Sequence, residues 1–123
     1  MPPKRIADEV GRAAVDAVLT GGASRDSTAT AVRYLLQALV DVAPGNTVEV
    51  RVPPFGAVQA VAGPKHTRGT PPNVVEMDAA TWIALATGSL TWAEALTEQR
   101  ISASGQRSQI EKFFPILPGT GAH

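Results

Sequence analysis

Residues 73–105, NVVEMDAATWIALATGSLTWAEALTEQRISASG, carry the most decisive local chemistry in the chain. Val75 and Met77 share one face of a predicted strand. Asp78 follows where a helix N-cap belongs, its carboxylate able to accept backbone N–H bonds left orphaned at the start of a helix over 79–87. Gly88 is the stop. The next helix opens with Thr91-Trp92-Ala93-Glu94, a capping box in which threonine and glutamate each satisfy a terminal N–H. Ile101 and Ala103 then alternate with Ser102 and Ser104, and Gly105 closes a short strand.

The N-terminal side of the chain is expected to be helical and then extended. Ile6, Val10, Ala13, Ala14, Ala17 and Val18 recur at helical spacing until Gly21-Gly22. Val32, Leu35, Leu36, Leu39, Val40 and Ala43 form a wide apolar stripe, with Asp26 or Ser27 as the expected cap and Pro44-Gly45 as the stop. The period then changes to two: Val48, Val50 and Val52 alternate with polar neighbours, as in a sheet solvated on one face. A turn at 53–56 and a return strand over 57–62 complete a hairpin, whose small Ala60 and Ala62 leave room over one face. Residues 63–72, GPKHTRGTPP, read as an irregular loop. Ser108-Gln109-Ile110-Glu111 reads as a second capping box, in a helix that Pro115 ends early, and residues 118–123 read as a flexible tail.

The 123 residues carry 11 basic and 11 acidic side chains and no cysteine. One domain, residues 1–123, is expected at this length, with 1–27 as an N-terminal helix and loop. A formal net charge of zero argues against duplex nucleic acid as a partner. Without cysteine there is no disulfide, thiol chemistry or thiolate metal site, which suits a cytoplasmic location. No signal-peptide core or bilayer-spanning run appears, so stable membrane insertion is not expected. Phosphate-binding, dinucleotide, serine-hydrolase and zinc-protease motifs are all missing, leaving enzymatic activity without support in the sequence.

The order of elements resembles the sterol carrier protein type 2 family. The resemblance is carried by Asp78, Trp82-Ile83-Ala84-Leu85, Thr87-Gly88, Leu90, residues 93–96 and residues 100–105. Val52-Pro53-Pro54-Phe55 and residues 66–76, HTRGTPPNVVE, extend it toward the bacterial, actinobacterial sterol-carrier orthologue branch. The resemblance implies an α/β (α+β) single-domain fold, a mixed sheet of four to five strands covered by helices on one face. It also implies a hydrophobic cavity between sheet and helices that holds a fatty acid, acyl chain, sterol or phospholipid, and a meagre catalytic repertoire; no cofactor is expected. The alternatives are a protein–protein interaction module with a collapsed cavity, or an accessory domain acting with a bacterial enzyme.

Trp82, Leu85, Trp92, Leu96, Ile110, Phe113 and Phe114 are the candidate ligand-binding residues, because an alkyl chain needs bulky, non-directional apolar surface. The same side chains would also fill an ordinary core. The indole N–H groups want partners, so at least one tryptophan is expected at an edge, lining a portal. Lys65, His66 and Arg68, with Thr67 and Thr70, are candidates for an anionic headgroup, or else a solvated turn. His66 has only His123 as a fellow histidine, so no metal site is expected. Glu76 and Asp78 share a strand face, but Asp78 is better explained as a cap than as a catalytic acid.

Overall fold

A computed structural model describes residues 5–63, 73–104 and 108–117, except for the side chains of 108 and 109. The described elements run α1 (Asp8–Leu19), α2 (Arg25–Val42), β1 (Val48–Val52), β2 (Gly56–Ala60), β3 (Asn73–Met77), α3 (Ala79–Thr87), α4 (Trp92–Thr97), β4 (Ile101–Ser104) and α5 (Ser108–Glu111). The strands form one mixed sheet in the order β2-β1-β3-β4, with β1 and β3 parallel and the other two pairings antiparallel. The α/β class and the four-stranded mixed sheet agree with the expectation from sequence.

Alternation decides which face of the sheet the helices cover. Val48, Val50 and Val52 point inward, joined in register by Val58 and Ala60 from β2, Val75 and Met77 from β3, and Ile101 and Ala103 from β4. The opposite face carries Glu49, Arg51, Gln59, Glu76, Ser102 and Ser104. A fully buried valine contributes roughly 1.5–3 kcal/mol, more than a typical cross-strand pair at roughly 0.2–1 kcal/mol, so the inner face fixes the register. The Arg51–Glu49 bridge on the solvated face, 3.0 Å, is secondary to it.

The local signals between β3 and β4 appear as read. Asp78 Oδ1 accepts the Thr81 N–H at 2.8 Å, Gly88 ends α3 in the left-handed region with φ 90°, and α4 opens with the full capping box. In that box Glu94 N–H donates to Thr91 Oγ1 at 3.1 Å and Thr91 N–H donates to Glu94 Oε1 at 2.8 Å.

Three local expectations need correction. The cap of α2 is Ser24, whose hydroxyl accepts the Ser27 N–H at 3.1 Å; Asp26 falls within the first turn, where its charge suits the helix dipole. The hairpin's return strand ends at Ala60, because Val61 turns into the left-handed region with φ 73°, donating its N–H to Ala43 at the end of α2. Ala62 is therefore exposed beyond the strand and leaves no room over the inner face. Finally, α5 stops at Glu111, before Pro115, and the following chain is tied to α3 by Ile116 and Leu117 N–H groups that both donate to Ala86 O at 2.9 Å.

α1 packs on α2 through a close approach at Gly11, where a Cβ would overlap the ring of Tyr34. The Tyr34 hydroxyl donates to Asp8 at 2.9 Å, and burial, then that bond, raises its pKa.

Candidate functional site

An apolar groove of about 470 Å³ lies between α2 and the edge strand β2. Arg33, Leu36, Gln37, Val40 and Asp41 reach it from α2, at spacings of three, four, seven and eight that place them on one helical flank. Phe55 and Val58 face them from the hairpin turn and β2. Gly56 lets the strand approach closely: a Cβ there would stand 3.3 Å from Leu36 Cδ1. Leu36 is only 2 % exposed, so it forms the floor between groove and core, while Val40, Phe55 and Val58 are half-buried walls.

One end is closed by the segment that precedes α1. Ile6 N–H donates to Gln37 Oε1 at 2.9 Å, and Gln37 Nε2 donates back to Ile6 O at 3.0 Å. Arg5 then makes a two-pronged bond to Asp41, at 2.8 and 3.2 Å. That bond holds the Asp41 carboxyl below its ordinary range and raises the Arg5 guanidinium above its own. The polar groups at this end are thus engaged with one another.

The other end is different. Arg33 donates through Nε to Phe55 O at 2.8 Å, and Arg25 stacks over the Phe55 ring with its guanidinium carbon 5.4 Å from the centroid. Among the described residues neither arginine pairs with a carboxylate.

The seven candidates named from sequence lie elsewhere. Trp82, Leu85 and Ile110 are fully buried, Trp92 is 5 % exposed, and Leu96, Phe113 and Phe114 are half-buried. Phe114 joins the two tryptophans into one aromatic cluster, edge-on to Trp82 at 5.8 Å and stacked on Trp92 at 5.9 Å. None of the seven lines the α2–β2 groove. Trp82 meets its hydrogen-bond requirement inside the protein, donating Nε1–H to Val32 O at 3.2 Å, and Trp92 is also buried, so neither indole stands at an exposed edge. Lys65, His66 and Arg68, with Thr67 and Thr70, fall outside the described residues. Glu76 is exposed on the solvated sheet face and Asp78 caps α3, the Thr81 N–H holding its carboxyl below the ordinary range. Among the described residues no group of three or more His, Cys, Asp or Glu side chains could hold a metal, and no helix is long and apolar enough to cross a membrane.

The groove residues escaped the sequence reading because Leu36 and Val40 belong to the same stripe as the true core. The available signal was Arg33, a charge beside that stripe, eight residues after Arg25.

A mixed four-stranded sheet with helices on one face and an apolar groove beside its edge strand defines a small α/β protein. Residues 24–116 match the family described as bacterial SCP ortholog, and the chain belongs to that bacterial sterol-carrier-like family. Compared with curated proteins, the chain matches none.

Proposed function

We propose that the protein is a non-catalytic binder and carrier of an apolar, single-chain ligand, and that the ligand lies in the groove between α2 and β2. The observation that carries this reading is the groove itself: about 470 Å³, floored by Leu36 and walled by Ile6, Val40, Phe55 and Val58. Pockets that take small ligands span roughly 300–1,000 Å³ and are mainly apolar with few polar groups. Family membership supports the same class of ligand, since sterol-carrier-like proteins are associated with lipid binding and transfer.

Native mass spectrometry of protein purified gently from its own host tests the reading. Wild type is expected to carry a non-covalent adduct of lipid mass, and Val58→Lys, which sets a charge against the half-buried wall, is expected to be bare. A bare wild type, or an equally loaded variant, would overturn the assignment to this groove.

The aromatic cluster supports a second placement. Phe114 is half-buried against Trp82 and Trp92, on a segment held to α3 by the two bonds to Ala86, so a chain that displaced this segment would meet the candidate residues Trp82 and Trp92. Tryptophan emission separates the two placements, because the α2–β2 groove contains no tryptophan. Saturable binding that leaves emission nearly unchanged supports the groove, and a large change tracking occupancy supports the aromatic cluster.

A further inference from the structure

We propose that β2 is the pairing edge for a second copy of this chain: the two β2 strands lie antiparallel about Val58, join two four-stranded sheets into one, and bring the open sides of the two α2–β2 grooves together.

An edge strand presents a row of free backbone donors and acceptors, which monomeric proteins blunt with charge, proline or a covering element. β2 ends the sheet order, and among the described residues no strand lies beyond it. Its five residues, Gly56-Ala57-Val58-Gln59-Ala60, include neither a charge nor a proline.

The strand also suits its own reversal. With Val58 on the two-fold axis, Gly56 faces Ala60 and Ala57 faces Gln59 of the second copy, so no like charges and no bulky pair are forced together. Alternation keeps Val58 of both copies on the inner face, level with the half-buried Val40 and Phe55 that wall the groove. Ala57 and Gln59, both exposed, meet on the outer face.

Charge favours the same partner. Arg33 donates to Phe55 O just before β2, and Ala43 O accepts the Val61 N–H just after it, so α2 and β2 run in the same direction. Turning one β2 end for end therefore reverses its α2 as well. Arg33 and Asp41 lie eight residues apart on the flank of α2 that lines the groove. After the reversal, Arg33 of each copy faces the end of α2 that carries Asp41 of the other. Within its own chain Arg33 uses only Nε, its terminal nitrogens making no bond among the described residues. A carboxylate offers about four acceptor sites, so Asp41 can receive Arg33 of the second copy while it holds Arg5.

Sedimentation velocity of the full chain, without added lipid and from about 1 μM to about 1 mM, tests the pairing. Wild type is expected to move from 12.8 kDa toward twice that mass as concentration rises. Ala57→Glu combined with Gln59→Glu sets like charges opposite each other twice across the axis, on the face away from the groove, and should raise the dimer Kd about tenfold or more. Ala57→Glu combined with Gln59→Lys makes both facings complementary and should recover much of that loss, which a merely damaged strand would not do. Ser102→Glu combined with Ser104→Glu, exposed on the opposite edge strand β4, should leave the mass unchanged. Thermal melts check that each variant is folded. A wild type that stays monomeric throughout overturns the pairing and, because no ligand is used, leaves the reading of the groove standing. Equal weakening by the Glu–Glu and Glu–Lys pairs, or a dimer lost only in the β4 variant, also overturns it.

Discussion

Leu36 and Leu39 belong to the same apolar stripe of α2, yet their truncation to alanine is expected to have different consequences. Leu39 is fully buried and takes no part in the groove, whereas Leu36, 2 % exposed, has the groove on one side and the core on the other. Removing a leucine's outer carbons forfeits about 0.8 kcal/mol per buried methylene-sized group, or about 2–3 kcal/mol for the side chain. At Leu39 a closed cavity adds a further penalty, bringing the total toward the upper part of the range of about 2.7–5 kcal/mol for enclosed leucines. At Leu36 the vacated space merges with an open groove that water already reaches, so the cost stays near the transfer value, about 2–3 kcal/mol. Urea unfolding, with slopes compared to confirm an unchanged surface exposure, measures both. Val10→Ala, at a site 54 % exposed, is the near-neutral control. Leu36→Ala costing as much as Leu39→Ala would show that Leu36 lies in a sealed interior and that the groove has no such floor.

Other expectations follow from local geometry. Thr91→Ala removes the hydroxyl that accepts the Glu94 N–H and should destabilise by about 0.5–2 kcal/mol in denaturant unfolding, without changing affinity for dodecanol; a neutral result would place the start of α4 elsewhere. Asp78 has a folded pKa held down by the Thr81 N–H, so its contribution is present above the unfolded carboxylate value and is lost as pH falls through the folded one. Asn is a comparable cap that does not titrate, so Asp78→Asn should match wild type at neutral pH and lose less stability between about pH 5 and pH 2; parallel pH profiles would contradict the capping role. Gly11→Ala should destabilise by about 1–3 kcal/mol, since the new methyl meets the buried Tyr34 ring, despite a helix-propensity gain of about 1 kcal/mol; a stabilised variant would mean that α1 is free to shift away.

What could be read from the sequence was what local chemistry dictates. Asp78, Gly88 and the Thr91–Glu94 box each act within a few residues of chain, and each appears in the structure as read. The cap of α2 was harder, because Ser24, Asp26 and Ser27 all have capping chemistry and only the position of the first helical turn chooses between them. Trp82 defied the rule that an indole seeks an edge because its acceptor, Val32 O, is fifty residues away in sequence. The return strand was read too long because the turn at Val61 is set by Ala43, at the end of a different element. The groove shows the same limit: Arg33 meets Phe55 across twenty-two residues and Gln37 meets Ile6 across thirty-one, contacts that no period or motif announces. Sequence patterning reports that a side chain is apolar, but whether it fills a core or lines a space depends on what arrives opposite it.

The most direct measurement of the central claim is the set of intermolecular nuclear Overhauser effects between dodecanoate methylene protons and the isotope-labelled protein. If the ligand lies between α2 and β2, contacts arise to Leu36, Val40, Phe55 and Val58, the residues that line the groove. Contacts confined to Trp82, Trp92, Leu96 and Phe114, with silence from those four, would contradict the account and move the ligand into the aromatic cluster.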